Sequence, residues 1–198
     1  MRSSTGRALT TAAAAAAFLA VVAGVAATVV RAQGASSPAA AAVPPPDVQF
    51  YGGTGGPISA GVVVPAGRAY LWTSGMVPSV ADPAAPAGDP KRYGDTKTQA
   101  VSILRKFEAQ LKEKGLGLKD VVYLRAYLVG DPANGGKADY RGWFDAYGQF
   151  FADEANPVRP ARSTVAVAGL GDPDWRVEIG AGAGGPAATA PQKGGAGG

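Results

Sequence analysis

The chain has 198 residues, with 19 basic against 15 acidic side chains and neither a histidine nor a cysteine. Those two absences exclude Cys–His nucleophilic catalysis, a Ser-His-Asp triad and the usual structural zinc sites. Any chemistry must come from arginine, lysine, carboxylates, hydroxyls, backbone groups or water. The lack of cysteine fits a reducing compartment as well as an exported protein without disulfides.

The first 32 residues have the layout of an export signal. Arg2 and Arg7 open them, no charge occurs from Ala8 to Val30, and small residues close the run at "VRAQGA". A retained membrane anchor is the alternative, since about 20 apolar residues span a bilayer. The weak hydrophobicity of alanine and the small-residue exit favour cleavage after Ala32. No cysteine follows to carry a lipid. A periplasmic or secreted protein is therefore expected, touching a membrane only if this segment is kept. Arg31 is the third basic residue in the leader, so the remainder holds 16 basic against 15 acidic residues. The basic balance is a targeting feature, and no nucleic-acid partner is expected.

Residues 33–46 form a Pro/Ala-rich linker, 47–183 the folded domain, and 184–198 a Gly/Ala-rich tail expected to be disordered. Within the domain, Gly61–Val64 and Arg68–Ser74 are predicted strands around the turn signal "PAG". Pro78–Tyr93 reads as a loop. A helix is predicted over Thr96–Lys114, capped by Asp95 or Thr96 and stopped at Gly115, with Ala100, Ile103, Leu104, Phe107 and Leu111 as its apolar stripe. Val121–Val129 is a strand with large residues on both faces, which requires cover on both. Arg125 within it is expected near a subunit boundary or an edge.

A second helix is predicted over Asp139–Ala152. Its aromatic residues, Tyr140, Trp143, Phe144, Tyr147, Phe150 and Phe151, read as core packing. Strands at Ser163–Ala168 and Trp175–Ile179 close the domain. The order β-β-α-β-α-β-β, with one apolar stripe per helix, implies a two-layer α+β domain with both helices on one sheet face. The other face has no element left to cover it, so self-association is expected.

Arg162 stands at the mouth of its strand after Pro160. It reads either as an exposed strand-end charge or as a bidentate carboxylate receptor. Glu178, between Val177 and Ile179, should point away from both. Pairing with a neighbouring strand could bring it towards Arg162 and hold it ionised, ready to activate water. Ser74 and Gly75 offer a hydroxyl and open backbone at a strand exit. The glycine clusters "YGGTGG" and "GDPANGG" lack the lysine and helix of a phosphate loop.

In this order, "LWTSGMVP", "TQAVSILRKFEAQLKEKGLGLKDVVYLRAYLV", "YGQFF", "RPARSTVAVAGL" and "VEI" resemble the Rid family, the YjgF or L-PSP type of reactive imine and enamine deaminases. The resemblance runs from about Pro57 to Ile179. It implies a chorismate-mutase-like fold and a homotrimer whose sheets pack as a barrel-like core, with sites in clefts between subunits. It also implies that Arg162 binds a substrate carboxylate and Glu178 places the hydrolytic water. Ser74 and Gly75 of the "TSG" element, together with Thr164, would line the pocket. The implied reaction converts 2-imino or enamine acids to 2-oxo acids and ammonia without a cofactor, since an imine is already electrophilic.

Four positions depart from the pattern. Ile58 stands where deaminating members commonly have tyrosine, Phe144 where asparagine is frequent, Thr164 in place of a common cysteine, and Gly180 in place of a second acid. The pocket wall is thereby more apolar, and a larger or less polar substrate is expected. A non-catalytic protein binding small carboxylates on the same trimeric scaffold is the competing expectation. Ribonuclease activity ranks below both, given the near-neutral domain without histidine.

Overall fold

The computed structural model describes residues 47–53 and 55–187. The expected leader, the linker and residues 188–198 of the tail lie outside the described residues. In chain order the elements are β1 (Gln49–Tyr51), β2 (Gly61–Val63), β3 (Arg68–Trp72), α1 (Thr96–Glu113), β4 (Val121–Leu128), β5 (Gly130–Asp131), β6 (Lys137–Ala138), α2 (Tyr140–Tyr147), β7 (Ala161–Ala166) and β8 (Val177–Ala187).

Four strands form the main sheet in the order β3-β8-β4-β7, antiparallel throughout except for the parallel β4–β7 pair. The two segments around "PAG" do not pair with each other. β2 joins β1 in a separate ribbon, while β3 edges the main sheet.

Register assigns each side chain to a face. Leu124, Ala126 and Leu128 of β4 stand opposite Ala181, Ile179 and Val177 of β8, and all six are buried. Ile103, Leu104, Phe107 and Leu111 of α1 and Trp143, Ala146 and Tyr147 of α2 complete that core. Both helices therefore cover one face, as the two stripes require. The fold is a mixed-sheet α+β layer pair of the chorismate-mutase-like type.

α1 starts where Asp95 accepts a hydrogen bond from the Thr98 backbone amide at 2.8 Å. Gln99, almost wholly buried, donates to the carbonyls of Gly94 and Asp174 and accepts from the Arg176 amide. One side chain thus ties the helix start to the entry of β8.

α2 is shorter than its aromatic pattern suggests. After Tyr147 the amides of Gln149 and Phe150 bond to carbonyls only three residues back, tightening the turn. Ala152, with φ of 60°, then reverses the chain. Phe151 is buried without being helical. Only Trp143, Tyr147 and Phe151 of the aromatic series are fully buried, whereas Tyr140 and Phe144 are exposed.

β8 corrects the expected boundaries at the C-terminus. It continues past Ile179 to Ala187, so residues 184–187 belong to the sheet and not to the tail. The Gly/Ala run lacks the bulky side chains by which strands are recognised. Backbone ladders hold it instead, with β3 and β4 on both sides as far as Ala183 and with β3 alone from Gly184 to Ala187. Its glycines make room for neighbours. A Cβ at Gly182 would come within 2.8 Å of the Trp72 ring.

The second sheet face carries Tyr70 and Trp72, stacked with ring centroids 5.7 Å apart. By register Tyr123, Arg125, Tyr127, Ser163, Val165 and Glu178 share it. Trp72 is 60% exposed, and Tyr70 and Val165 are nearly as open. Arg125 does not stand on an edge strand, since β4 is internal. Its guanidinium lies over Gly180, where a Cβ would sit 3.3 Å from NH2. Its Nε is buried with no hydrogen-bond partner among the described residues.

Candidate functional site

Arg162 and Thr164 extend from β7 towards the helices, level with Leu124 and Ala126 of the core face. α2 supplies the surroundings. The Arg162 guanidinium carbon lies 4.2 Å from the Tyr147 ring centroid, 4.7 Å from that of Phe144 and 5.5 Å from that of Trp143. Cation–π attraction at three rings holds the side chain in one place.

Around this box the polar groups of the rings are engaged within the chain. Trp143 Nε1 donates to Thr164 Oγ1 at 3.0 Å, and the Tyr147 hydroxyl donates to the Pro57 carbonyl at 2.9 Å. The second bond brings Pro57 and Ile58 against α2, and Ile58 packs on the core. Arg162 differs from its neighbours in lacking an acceptor. Among the described residues its Nη1 is buried without a partner and no carboxylate pairs with it.

Burial sets the electrostatics. Loss of solvent pushes the Tyr147 phenol up to about 12, although the nearby Arg162 and Arg159 charges oppose the shift. Burial also lowers the Arg162 pKa, with Tyr147 acting against it. Guanidinium remains a cation at neutral pH. A buried cation facing rings, with no anion beside it among the described residues, keeps donor capacity that an anion could fill.

Glu178 lies elsewhere. Strand β4 intervenes between β7 and β8, and Glu178 pairs in register with Tyr127 on the face opposite to that of Arg162. The expected approach of Glu178 to Arg162 within one chain therefore does not occur. The sheet itself separates them.

The companions of Glu178 are Gly75 and the loop around it. Thr73 bonds Ala181 through its amide and its hydroxyl, and Met76 exchanges two backbone bonds with Ile179. Between these anchors Ser74 and Gly75 bow outward, both exposed. The Glu178 carboxylate lies against Gly75 so closely that a Cβ there would fall 1.8 Å from Oε1. A side chain there would force the Glu178 carboxylate to move. Lys106 of α1, whose pKa burial lowers, donates to the Val77 carbonyl and fixes the far end of the loop.

The seven residues singled out in the sequence thus fall into two groups. Arg162, Thr164, Phe144 and Ile58 gather on the helix side at β7, and Ser74, Gly75 and Glu178 on the open face at β8. Trp143 and Tyr147, read from sequence only as core, also form the box around Arg162. Their i, i+4 spacing on α2, one turn of helix, was the available signal. Among the described residues no cluster of three or more carboxylates is arranged to hold a metal ion.

Comparison with known proteins bears on the family and on the arrangement of sheet and helices. The family model for endoribonuclease L-PSP matches residues 57–184. The chain belongs to that family, which includes the YjgF and Rid proteins. Among similar solved structures is a Rid-family protein of unknown function from Yersinia pestis, 23% identical, with a TM-score of 0.52 over 70% of this chain and 99% of that one. A YjgF-family protein from Neisseria meningitidis is 26% identical, covering 72% of this chain and 98% of that one, with a TM-score of 0.43. A YjgF-family member from Mycobacterium tuberculosis is 24% identical, covering 70% and 99%, with a TM-score of 0.44. Among curated proteins none matches the chain.

Proposed function

We propose that this protein hydrolyses 2-imino or enamine acids to 2-oxo acids and ammonia, in clefts formed between copies of the chain. The observation that carries the reading is the unpaired Arg162 guanidinium in its aromatic box. The division of the candidate residues between two sheet faces supports the intersubunit cleft. The exposed Tyr70, Trp72 and Val165 on the open face support association through it. A closed ring of three copies would place Glu178 and Gly75 of one copy beside Arg162 of the next.

In this scheme Arg162 grips the carboxylate and orients the adjacent C=N carbon. Glu178 accepts a proton from a water molecule as its oxygen bonds to that carbon, and the nitrogen takes up a proton. The carbinolamine collapses as its hydroxyl proton passes to the nitrogen and the C–N bond breaks. Ammonia leaves and the 2-oxo acid remains. An enamine enters the same route after protonation at carbon. No metal, cofactor or covalent nucleophile is required of the residues, because the imine is already an electrophile. We place the reaction outside the cytoplasm on the strength of the leader-like residues 1–32.

The competing reading, a binding protein without turnover, draws on the apolar Ile58 and Phe144 at the pocket wall. Imines generated in situ by an amino-acid oxidase separate the two. Ammonia release faster than the spontaneous rate, lost in Arg162→Ala and Glu178→Gln, is the result expected of the enzyme. Binding of the 2-oxo acid with no acceleration would leave only the binding protein.

A further inference from the structure

The aromatic residues of α2 divide into an inner row and an outer pair. Trp143, Tyr147 and Phe151 are buried. Tyr140 and Phe144, one helical turn apart, are 39% and 44% exposed, with ring centroids 6.2 Å apart and planes tilted by 49°. The outer pair begins at the receptor itself, since Phe144 lies 4.7 Å from the Arg162 guanidinium carbon.

We infer that Phe144 and Tyr140 form the wall that selects the substrate side chain, favouring a carboxylate whose 2-position carries an aromatic or bulky apolar group. This rests on the reading of Arg162 as the carboxylate anchor. A carboxylate on the guanidinium directs its substituent either along this wall or into solvent.

Two polar groups beside the wall, Trp143 Nε1 and the Tyr147 hydroxyl, already donate within the chain. A polar substituent there would shed water without a replacement partner from either. An apolar one would cover two exposed rings, at about 25 cal/mol for each Å² removed from water. Phe144 therefore has two roles. Its face holds the guanidinium, and its outer edge with Tyr140 receives the side chain.

The test is equilibrium binding of two 2-oxo acids, phenylpyruvate and pyruvate, to the full protein. The expected preference for phenylpyruvate is about tenfold or more, the range that small apolar differences provide. Phe144→Asn should collapse the ratio of the two affinities towards one, and Tyr140→Ser should reduce it in part. Only the ratio isolates the wall, because loosening the guanidinium weakens both ligands together. Both residues are exposed, so neither substitution threatens the fold, and thermal melting provides the check.

If both acids bind through Arg162 with a ratio near one, or with a ratio that Phe144→Asn leaves untouched, the wall is wrong and the anchor stands. If neither acid binds, or Arg162→Ala changes neither affinity, the anchor is wrong and the wall falls with it. Loss of self-association in Phe144→Asn, with the ratio unchanged, would reassign the wall to the contact between copies.

Discussion

Both faces of the main sheet carry aromatic residues, but these are buried on one face and exposed on the other. On the helix side, Trp143 and Tyr147 are enclosed by α1, α2 and three strands, and even their polar atoms are partnered within the chain. On the open side, Tyr70 and Trp72 stack on each other, Trp72 lies over Gly182, and the two are 49% and 60% exposed. The helix side is completed by a single chain, and on the proposed reading a second copy covers the open side. The candidate residues follow the same division, with the proposed carboxylate anchor Arg162 on the helix face and the Glu178 carboxylate beside Gly75 on the open one. On the proposed reading, one sheet presents half a site on each face, and repetition of the chain completes it.

The most severe test of this contrast is a pair of tryptophans. Trp143→Ala empties a fully buried position and should cost about 3–5 kcal/mol, read by chemical denaturation. Trp72→Ala removes an exposed ring and should leave the denaturation of a dilute sample nearly unchanged, while sedimentation shows weaker association. Equal destabilisation by both would contradict the distinction between the faces.

Next in size, Arg162→Ala should lower kcat/KM for imine hydrolysis by about 2–5 kcal/mol of lost anchoring. Arg162→Lys should recover only part of it, because an ammonium cannot make the bidentate contact. The Gly75→Ala variant addresses the open face. Its methyl would meet the Glu178 carboxylate, and displacement of a general base should slow turnover about 100-fold, with a thermal midpoint close to that of the parent. Turnover at the parental rate would remove Glu178 from the mechanism.

The smallest effect concerns the helix cap. Burial alone would raise the Asp95 pKa, but hydrogen bonds from Thr98 outweigh it and hold the carboxyl below its ordinary range. The folded value therefore lies under the unfolded one. Its stabilisation is complete above the ordinary aspartate pKa, about 3.9, and is lost as pH falls through the lower folded value. Asp95→Ala should cost about 1 kcal/mol near neutrality. Asp95→Asn should retain most of the cap and flatten this acid limb in a series of melts.

The sequence made the helix side largely legible. The 3.6-residue spacing of Ile103, Phe107 and Leu111 and the alternation around Ile179 encode it directly, because packing within one chain imposes periodicity. Glu178 was placed correctly away from Val177 and Ile179 by the same rule. The failures have physical causes too. The Gly/Ala run of β8 read as a tail because it contributes backbone and space, and neither leaves a hydrophobic pattern. The separation of Arg162 from Glu178 was invisible because strand order is a property of the fold, and β4 comes between them from far earlier in the chain. The aromatic stripe alone put Phe144 in the core, because neighbours at i and i+1 both fit it, whereas the family pattern put it at the pocket wall. A single helix face cannot bury Trp143 and Phe144 equally, and Phe144 emerged beside Arg162.

Mixed assembly of two inactive variants tests most directly whether the site is completed by a second copy. Arg162→Ala and Glu178→Gln, each without imine hydrolase activity, are combined under conditions of subunit exchange and assayed for ammonia release. If each site takes Arg162 from one copy and Glu178 from the next, random mixing in a closed ring should restore roughly one quarter of the parental rate. A mixture as inactive as its components, despite demonstrated exchange, would contradict the account.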